Sequence, residues 1–333
     1  MKNIAKKSAL LLILGTSALT AMEATKCELP YIILHMDINK TLIAESTGKG
    51  FGPETGLAAL LSTAPEYAYT WGDGLEKMTY NKWVDEKLFP GSDPTLKSKR
   101  ESYHAGFVEA ARNANHPMSQ EITDEFNALI DALKTQYPRK VFTSFSNLIT
   151  YLKEKNYSFS VILRTFGKDL DGTAKELAQD GLNNFIYGSF HKGALNLNNK
   201  VLSDPAEIIA SFEPAKHYAI QDSYDWWKQN NFTEKGGKPF PIDISDKRIL
   251  SIFFDDNAND PVKPILNIIP IGKKTNLNEL ITIGRVVPVD TRKAILDKNY
   301  FINAVEKALK KWQEMFCQQE TFYSQQEMGQ QEQ

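Results

Sequence analysis

An α/β fold, built on a doubly wound parallel sheet with a mainly helical insertion after the first strand, is what this sequence predicts. Three observations carry that expectation. The runs Tyr31–Asp37, Phe159–Thr165 and Ile249 to Asp256 are short and apolar, as strands buried on both faces are. From residue 140 onward, helical patterns alternate with such runs, the arrangement that parallel strands and their crossovers need. Residues 53–138 lack strand-like runs, concentrate aromatic residues, and show helical spacing at Phe126, Leu129, Ile130 and Leu133.

The elements follow in chain order. After the first run, Gly48-Lys-Gly-Phe-Gly52 reads as a flexible turn leading into the insertion, which covers 51–139. Its aromatics, Trp71 and Tyr80 among them, are expected to pack within it. Helices are expected over 145–155 and 170–181, the second closed by Gly181. A strand over 184–190 comes next, then a less regular stretch at 218–227 and a loop through Gly236, Gly237 and Pro239. The run at 285–290 contains Pro288, which marks a sheet edge, and a terminal helix covers about 300–316. The core therefore takes 25–50 and 140–317.

The two ends and the charge narrow the function. Lys2, Lys6 and Lys7 precede an apolar stretch from Ala9 to about Ala21. This reads as a secretory signal over 1–24, too short and interrupted to span a membrane. Export to a periplasm or to the outside follows, with no stable membrane anchor after cleavage. The segment 318–333, rich in Gln and Glu, reads as a disordered tail. Cys27 and Cys317 are the only cysteines; they either pair in an oxidising compartment or are unrelated thiols, and they exclude a cysteine-based zinc cluster. A formal charge of −2 over 333 residues gives no case for a nucleic-acid partner. The five histidines show no metal-ligand spacing, and neither a Gly-x-Ser-x-Gly elbow nor a Gly-x-x-x-x-Gly-Lys-Ser/Thr loop occurs.

In an open α/β sheet, ligands bind beyond the carboxyl ends of the strands. There the three runs deliver Asp37-Ile-Asn39-Lys-Thr41, then Thr165, then Asp255-Asp256 with Asp260 four residues on. Carboxylates gathered at one edge repel unless a cation neutralises them, and oxygen donors of this kind suit Mg²⁺, which readily shares its shell with phosphate.

This pattern resembles the haloacid dehalogenase-like (HAD) superfamily, whose members are mostly phosphatases and phosphotransferases. The resemblance implies a Rossmann-like, HAD-like core with the insertion as its cap. It implies Asp37 as a nucleophile that forms an aspartyl-phosphate. Thr165 and a lysine would hold the phosphoryl oxygens; the lysine is taken as Lys238, with Lys228 and Lys216 as rivals. Mg²⁺ would be bound by Asp37, the backbone carbonyl of Asn39 and Asp256, with Asp260 or Asp255 orienting the shell. Asn39 departs from the family pattern, which has an aspartate there as general acid and base. An amide cannot carry a proton, a loss on the order of 10²–10⁴-fold in rate. On that basis Asn39→Asp is expected to raise turnover. The expected function is an exported, Mg²⁺-dependent phosphomonoester hydrolase acting on a small phosphorylated substrate or a phosphoprotein. The alternative is a catalytically impaired secreted binding or effector protein.

Overall fold

The computed structural model describes residues 27–44, 53–91, 93 and 95–331, with side chains as far as Cys317. The expected signal segment and the glycine turn at 48–52 lie outside the described residues. Ten strands are present among them: β1 Tyr31–Asp37, β2 Phe159–Thr165, β3 Ile186–His191, β4 Ala194–Leu197, β5 Lys200–Leu202, β6 Tyr218–Gln221, β7 Lys238–Ile242, β8 Ile249–Asp255, β9 Leu266–Pro270 and β10 Val286–Pro288.

Eight strands form one sheet in the order β10-β8-β1-β2-β6-β3-β4-β5. Pairing is parallel from β10 through to β3, and β4 and β5 add an antiparallel edge. The central strands β1, β2 and β8 are buried along nearly their whole length, so their apolar side chains face helices on both sides. Pro288 lies on the edge strand β10, where its missing N–H costs no ladder bond.

Between β1 and β2 the chain is helical: Pro53–Leu61, Tyr80–Trp83, Leu96–Ala105, Phe107–Asn113 and Ser119–Thr135, followed by Thr143–Glu154. Trp71 is the packing centre of the aromatic segment, with its ring against Tyr80, Phe107 and His116. The hydrophobic cluster holding Trp71, Phe107 and Leu129 is continuous with Ile32, Leu34 and Phe254 of the sheet. Arg292 adds an ionic tie, its Nη1 lying 2.6 Å from Glu66 and 3.3 Å from Glu125. Cys27 and Cys317 form a disulfide, Cα–Cα 5.7 Å, that joins the segment just before β1 to the terminal helix. No helix among the described residues is long and apolar enough to cross a membrane.

Several elements differ from the sequence reading. The stretch at 218–227 contains β6, a fully internal strand of four residues, too short for any period to show. The Gly/Pro-rich loop ends in β7, which pairs with β9 in a separate two-stranded ribbon. Pro239 and Pro241 are tolerated there because such a ribbon has an open edge. The strands β4 and β5 follow two-residue turns, Lys192-Gly193 and Asn198-Asn199, with positive φ at all four residues, the geometry of tight hairpins. The terminal helix runs Tyr300–Gln331, through a segment whose composition suggested disorder. Gln and Glu are good helix formers, and they extend a helix already nucleated by the packing of Phe301, Val305 and Trp312.

Candidate active site at the carboxyl edge of the sheet

Strand register alone assembles the site. Asp37, Thr165 and Asp255 are the last residues of β1, β2 and β8. Asp37 stands level with Arg164, and Met36 with Phe254, so all three side chains reach the same edge. The loop after β1 turns back at once: the N–H groups of Thr41, Leu42 and Ile43 all donate to the carbonyl of Ile38, and Lys40 adopts φ 61°. This places the buried Thr41 hydroxyl to accept from the N–H of Asp256 at 3.1 Å, which ties the β1 loop to the end of β8.

Lys238 is the lysine the structure brings to this edge. Its Nζ donates to Asp37 Oδ1 at 2.5 Å and to Asp255 Oδ2 at 2.8 Å, and it is removed from solvent. Gly237 before it cannot carry a side chain, because a Cβ there would fall 2.3 Å from the carbonyl oxygen of Ile265. The two rivals are elsewhere: Lys216 pairs with Glu213 on the surface, and Lys228 is exposed on the helix Tyr224–Gln229.

Charge in this cluster is unbalanced. Burial works against the ammonium of Lys238, but Asp255 and Asp37 outweigh it and hold its pKa above the usual lysine value. Burial pushes Asp37 well above the ordinary carboxylate range; Lys238 opposes this, and the charges of Asp255 and Asp256 add to it. Asp256 is raised to about 7 by burial, against the pull of Lys40 and with the push of Asp255. Lys238, bonded to Asp37 and Asp255, and Lys40, which pulls on Asp256, thus face three carboxylates.

The candidate metal residues divide. Asp37 and Asp256 feel each other's charge at the sheet edge. Asp255 is committed on both oxygens, to Lys238 and to the N–H of Asn257. Asp260 Oδ1 accepts from the N–H groups of Val262 and Lys263, so it shapes its own turn. Among the described residues no three His, Cys, Asp or Glu side chains make a ready metal cage. Magnesium does not require one, since it is commonly held by one or two carboxylates, waters and substrate phosphate.

Asn39 donates from Nδ2 to Asp169 Oδ2 at 2.7 Å, and its Oδ1 is buried with no partner among the described residues. Asp169 lies four residues beyond Thr165, at the start of the helix Leu170–Leu177. Gly167 lets these groups meet: a Cβ there would fall 2.5 Å from Asp169 Oδ2 and 3.2 Å from Thr165 Oγ1. The hydroxyl of Thr165 accepts from the N–H of Gly167 at 2.8 Å. Beside this group opens a cavity of about 820 Å³ lined by Phe166, Lys168, Asp169, Thr173, Glu176 and Lys140.

Sequence reasoning missed three charged residues near the site. Asp169 sits in a loop where no periodicity points to it. Arg164 and Asp222 form a buried two-bond pair, 3.0 and 2.6 Å. Arg164 Nη1 also donates to the carbonyl of Pro239 at 3.1 Å, next to Lys238. A lone arginine in an otherwise apolar run was the available signal for that pair.

No family model and no curated protein matches the chain. Among solved structures it is similar to a haloacid dehalogenase-like family hydrolase from Xanthomonas campestris, at 12% identity and a TM-score of 0.26, over 85% of this chain and 98% of that one. A likeness at that TM-score carries no argument about activity; the side chains have to carry it.

Proposed function

We propose that this chain is an exported, Mg²⁺-dependent phosphomonoester hydrolase that works through an aspartyl-phosphate on Asp37. The single observation behind this reading is the placement of Lys238 between Asp37 and Asp255, with Asp256 close by and Thr165 on the adjoining strand. Such a cluster has excess negative charge and a lysine fixed on the candidate nucleophile. The carboxylates of Asp37 and Asp256 and the backbone carbonyl of Asn39 would hold the ion, which neutralises phosphoryl charge when bound. The orphaned amide oxygen of Asn39 and the raised carboxylates suit a site that expects a further cation or donor.

In this reading Lys238 shields the phosphoryl group from the negative edge, and the Thr165 hydroxyl donates to one of its oxygens. Asp37 attacks phosphorus in line, the ester oxygen leaves with the bonding pair, and water then releases phosphate. The disulfide between Cys27 and Cys317 is consistent with an oxidising destination. A second reading, a secreted binding or effector protein that keeps the fold without turnover, draws on Asn39, whose amide cannot transfer a proton.

Hydrolysis of an aryl phosphate with and without Mg²⁺ separates the two. We expect metal-dependent turnover in the wild type and background rates in Asp37→Asn. Equal residual rates in both proteins would favour the binding reading.

A further inference from the structure

We propose that Asp169 is a positioning residue for Asn39: it fixes the amide so that Oδ1 is the acceptor for the water that reacts at phosphorus. This rests on the phosphatase reading above and names how its second half-step is served. Ionised carboxylates only accept hydrogen bonds, so the group that meets Asp169 Oδ2 has to be the NH₂ of Asn39. That single contact removes the two-fold ambiguity of the amide and sends Oδ1 to the opposite side. There Oδ1 is buried and has no partner among the described residues. Buried acceptors are nearly always satisfied, and one left open two residues after the nucleophile calls for a donor that arrives with the reaction.

The surroundings are built for this contact. Asp169 is buried and lines the cavity beside the site. The missing side chain at Gly167 leaves the space that the Asp169 carboxylate takes up against Asn39. The chemistry then needs no base. In the first step the Asp37 oxygen bonds to phosphorus as the ester P–O bond breaks, and the leaving oxygen departs with the electron pair. In the second, water held by Asn39 Oδ1 attacks phosphorus, the bond to Asp37 breaks, and its electrons return to the carboxylate. Both protons of the water stay on the released phosphate. A site of this kind favours esters whose leaving group is a stable anion.

The geometry also corrects the expectation for Asn39→Asp. A second carboxylate at 39 would face Asp169 across the present 2.7 Å contact, and two like charges there repel. The gain expected from the resemblance should therefore appear only when Asp169→Asn accompanies it.

The test uses the full disulfide-bonded chain with Mg²⁺, p-nitrophenyl phosphate and an n-alkyl phosphate. Asp169→Ala should lower kcat roughly 10–100-fold, the range usual for losing a supporting hydrogen bond, with little change in KM. Asp169→Asn, whose amide oxygen can still accept from Asn39 but whose NH₂ no longer enforces that orientation, should recover part of that loss. Asn39→Asp should lower both activity and melting temperature, and the Asn39→Asp, Asp169→Asn double variant should restore both. Wild-type kcat in Asp169→Ala would overturn the proposal. Asp169→Asn as impaired as Asp169→Ala would overturn it too, pointing to proton transfer by Asp169 instead. So would losses in the double variant that simply multiply. The isosteric variants keep the test decisive if Asp169→Ala fails to fold. A wild type without metal-dependent turnover overturns this proposal and the phosphatase reading together; an active wild type indifferent to position 169 overturns only this one.

Discussion

Arg164 and Asp222 are buried as one cation and one anion, joined by two hydrogen bonds and flanked by the rings of Phe190 and Phe253. At the strand ends nearby, Lys238 faces Asp37 and Asp255 directly and Asp256 beyond them. Arg164 and Asp222 in the one, and Asp37, Lys238 and Asp255 in the other, are removed from water, and both clusters cost desolvation. They differ in whether the charges cancel. The balanced pair fixes structure: it spans β2, the end of β6 and the carbonyl of Pro239. The unbalanced cluster leaves Asp37 and Asp256 raised above the ordinary carboxylate range, a condition that the cation and phosphoryl group of the proposed function would relieve.

The largest stability effect is expected at the balanced pair. Asp222→Asn removes the anion bonded to Arg164 and should cost about 3–5 kcal/mol, because it leaves a buried guanidinium without its counter-charge. Replacing both residues together by apolar ones of similar volume should recover much of that. Denaturant melts of the single and double variants check this. A single variant as stable as the wild type would mean that the two clusters do not differ in kind.

A smaller effect, and of opposite sign, is expected at the unbalanced cluster. Asp37→Asn abolishes turnover in the proposed mechanism, yet it removes one of the excess negative charges around Lys238 while Asp255 still holds the ammonium. The metal-free variant should melt at the same temperature as the wild type or higher. A clear fall in melting temperature would show that Asp37 is held for structure and would break the contrast.

How much of this was legible in the sequence depended on length and regularity. Strands β1, β2 and β8 are seven residues each and buried on both faces, so they stand out as continuous apolar runs. Their last residues, and so Asp37, Thr165 and Asp255, could be read with them. Strand β6 has four residues and β5 three, below what any pattern resolves, although Lys192-Gly193 and Asn198-Asn199 were usable hairpin signals. Lys238 could be singled out among three lysines, but not its contacts, because they depend on a ribbon made from a Pro-rich segment and on Gly237. Asp169 was illegible for a different reason. Its partner, Asn39, is 130 residues away, and only the sheet register brings them together. The Arg164–Asp222 pair, 58 residues apart, is the same case.

The finest test of the contrast is the response to pH. In the unfolded chain Asp256 ionises near the ordinary carboxylate value of 3.8, whereas in the metal-free fold it does so at about 7. Between those values the native state holds the extra proton, so the stability of the metal-free protein falls as pH rises from about 4 to 7. Asp37, raised for the same reason of burial, acts in the same direction. In the proposed function Mg²⁺ would take the place of the proton, so it should flatten the decline and raise the melting temperature more at pH 7 than at pH 5. Asp256→Asn does not titrate; it should show a shallower decline without metal and a weaker response to Mg²⁺. The difference between wild type and variant reports Asp256 together with its effect on Asp37, and removes the more distant groups that titrate in the same window. A metal-free wild type that gains stability relative to Asp256→Asn between pH 5 and 7 would reverse the sign, and the excess charge at the sheet edge would then have to be balanced within the chain itself.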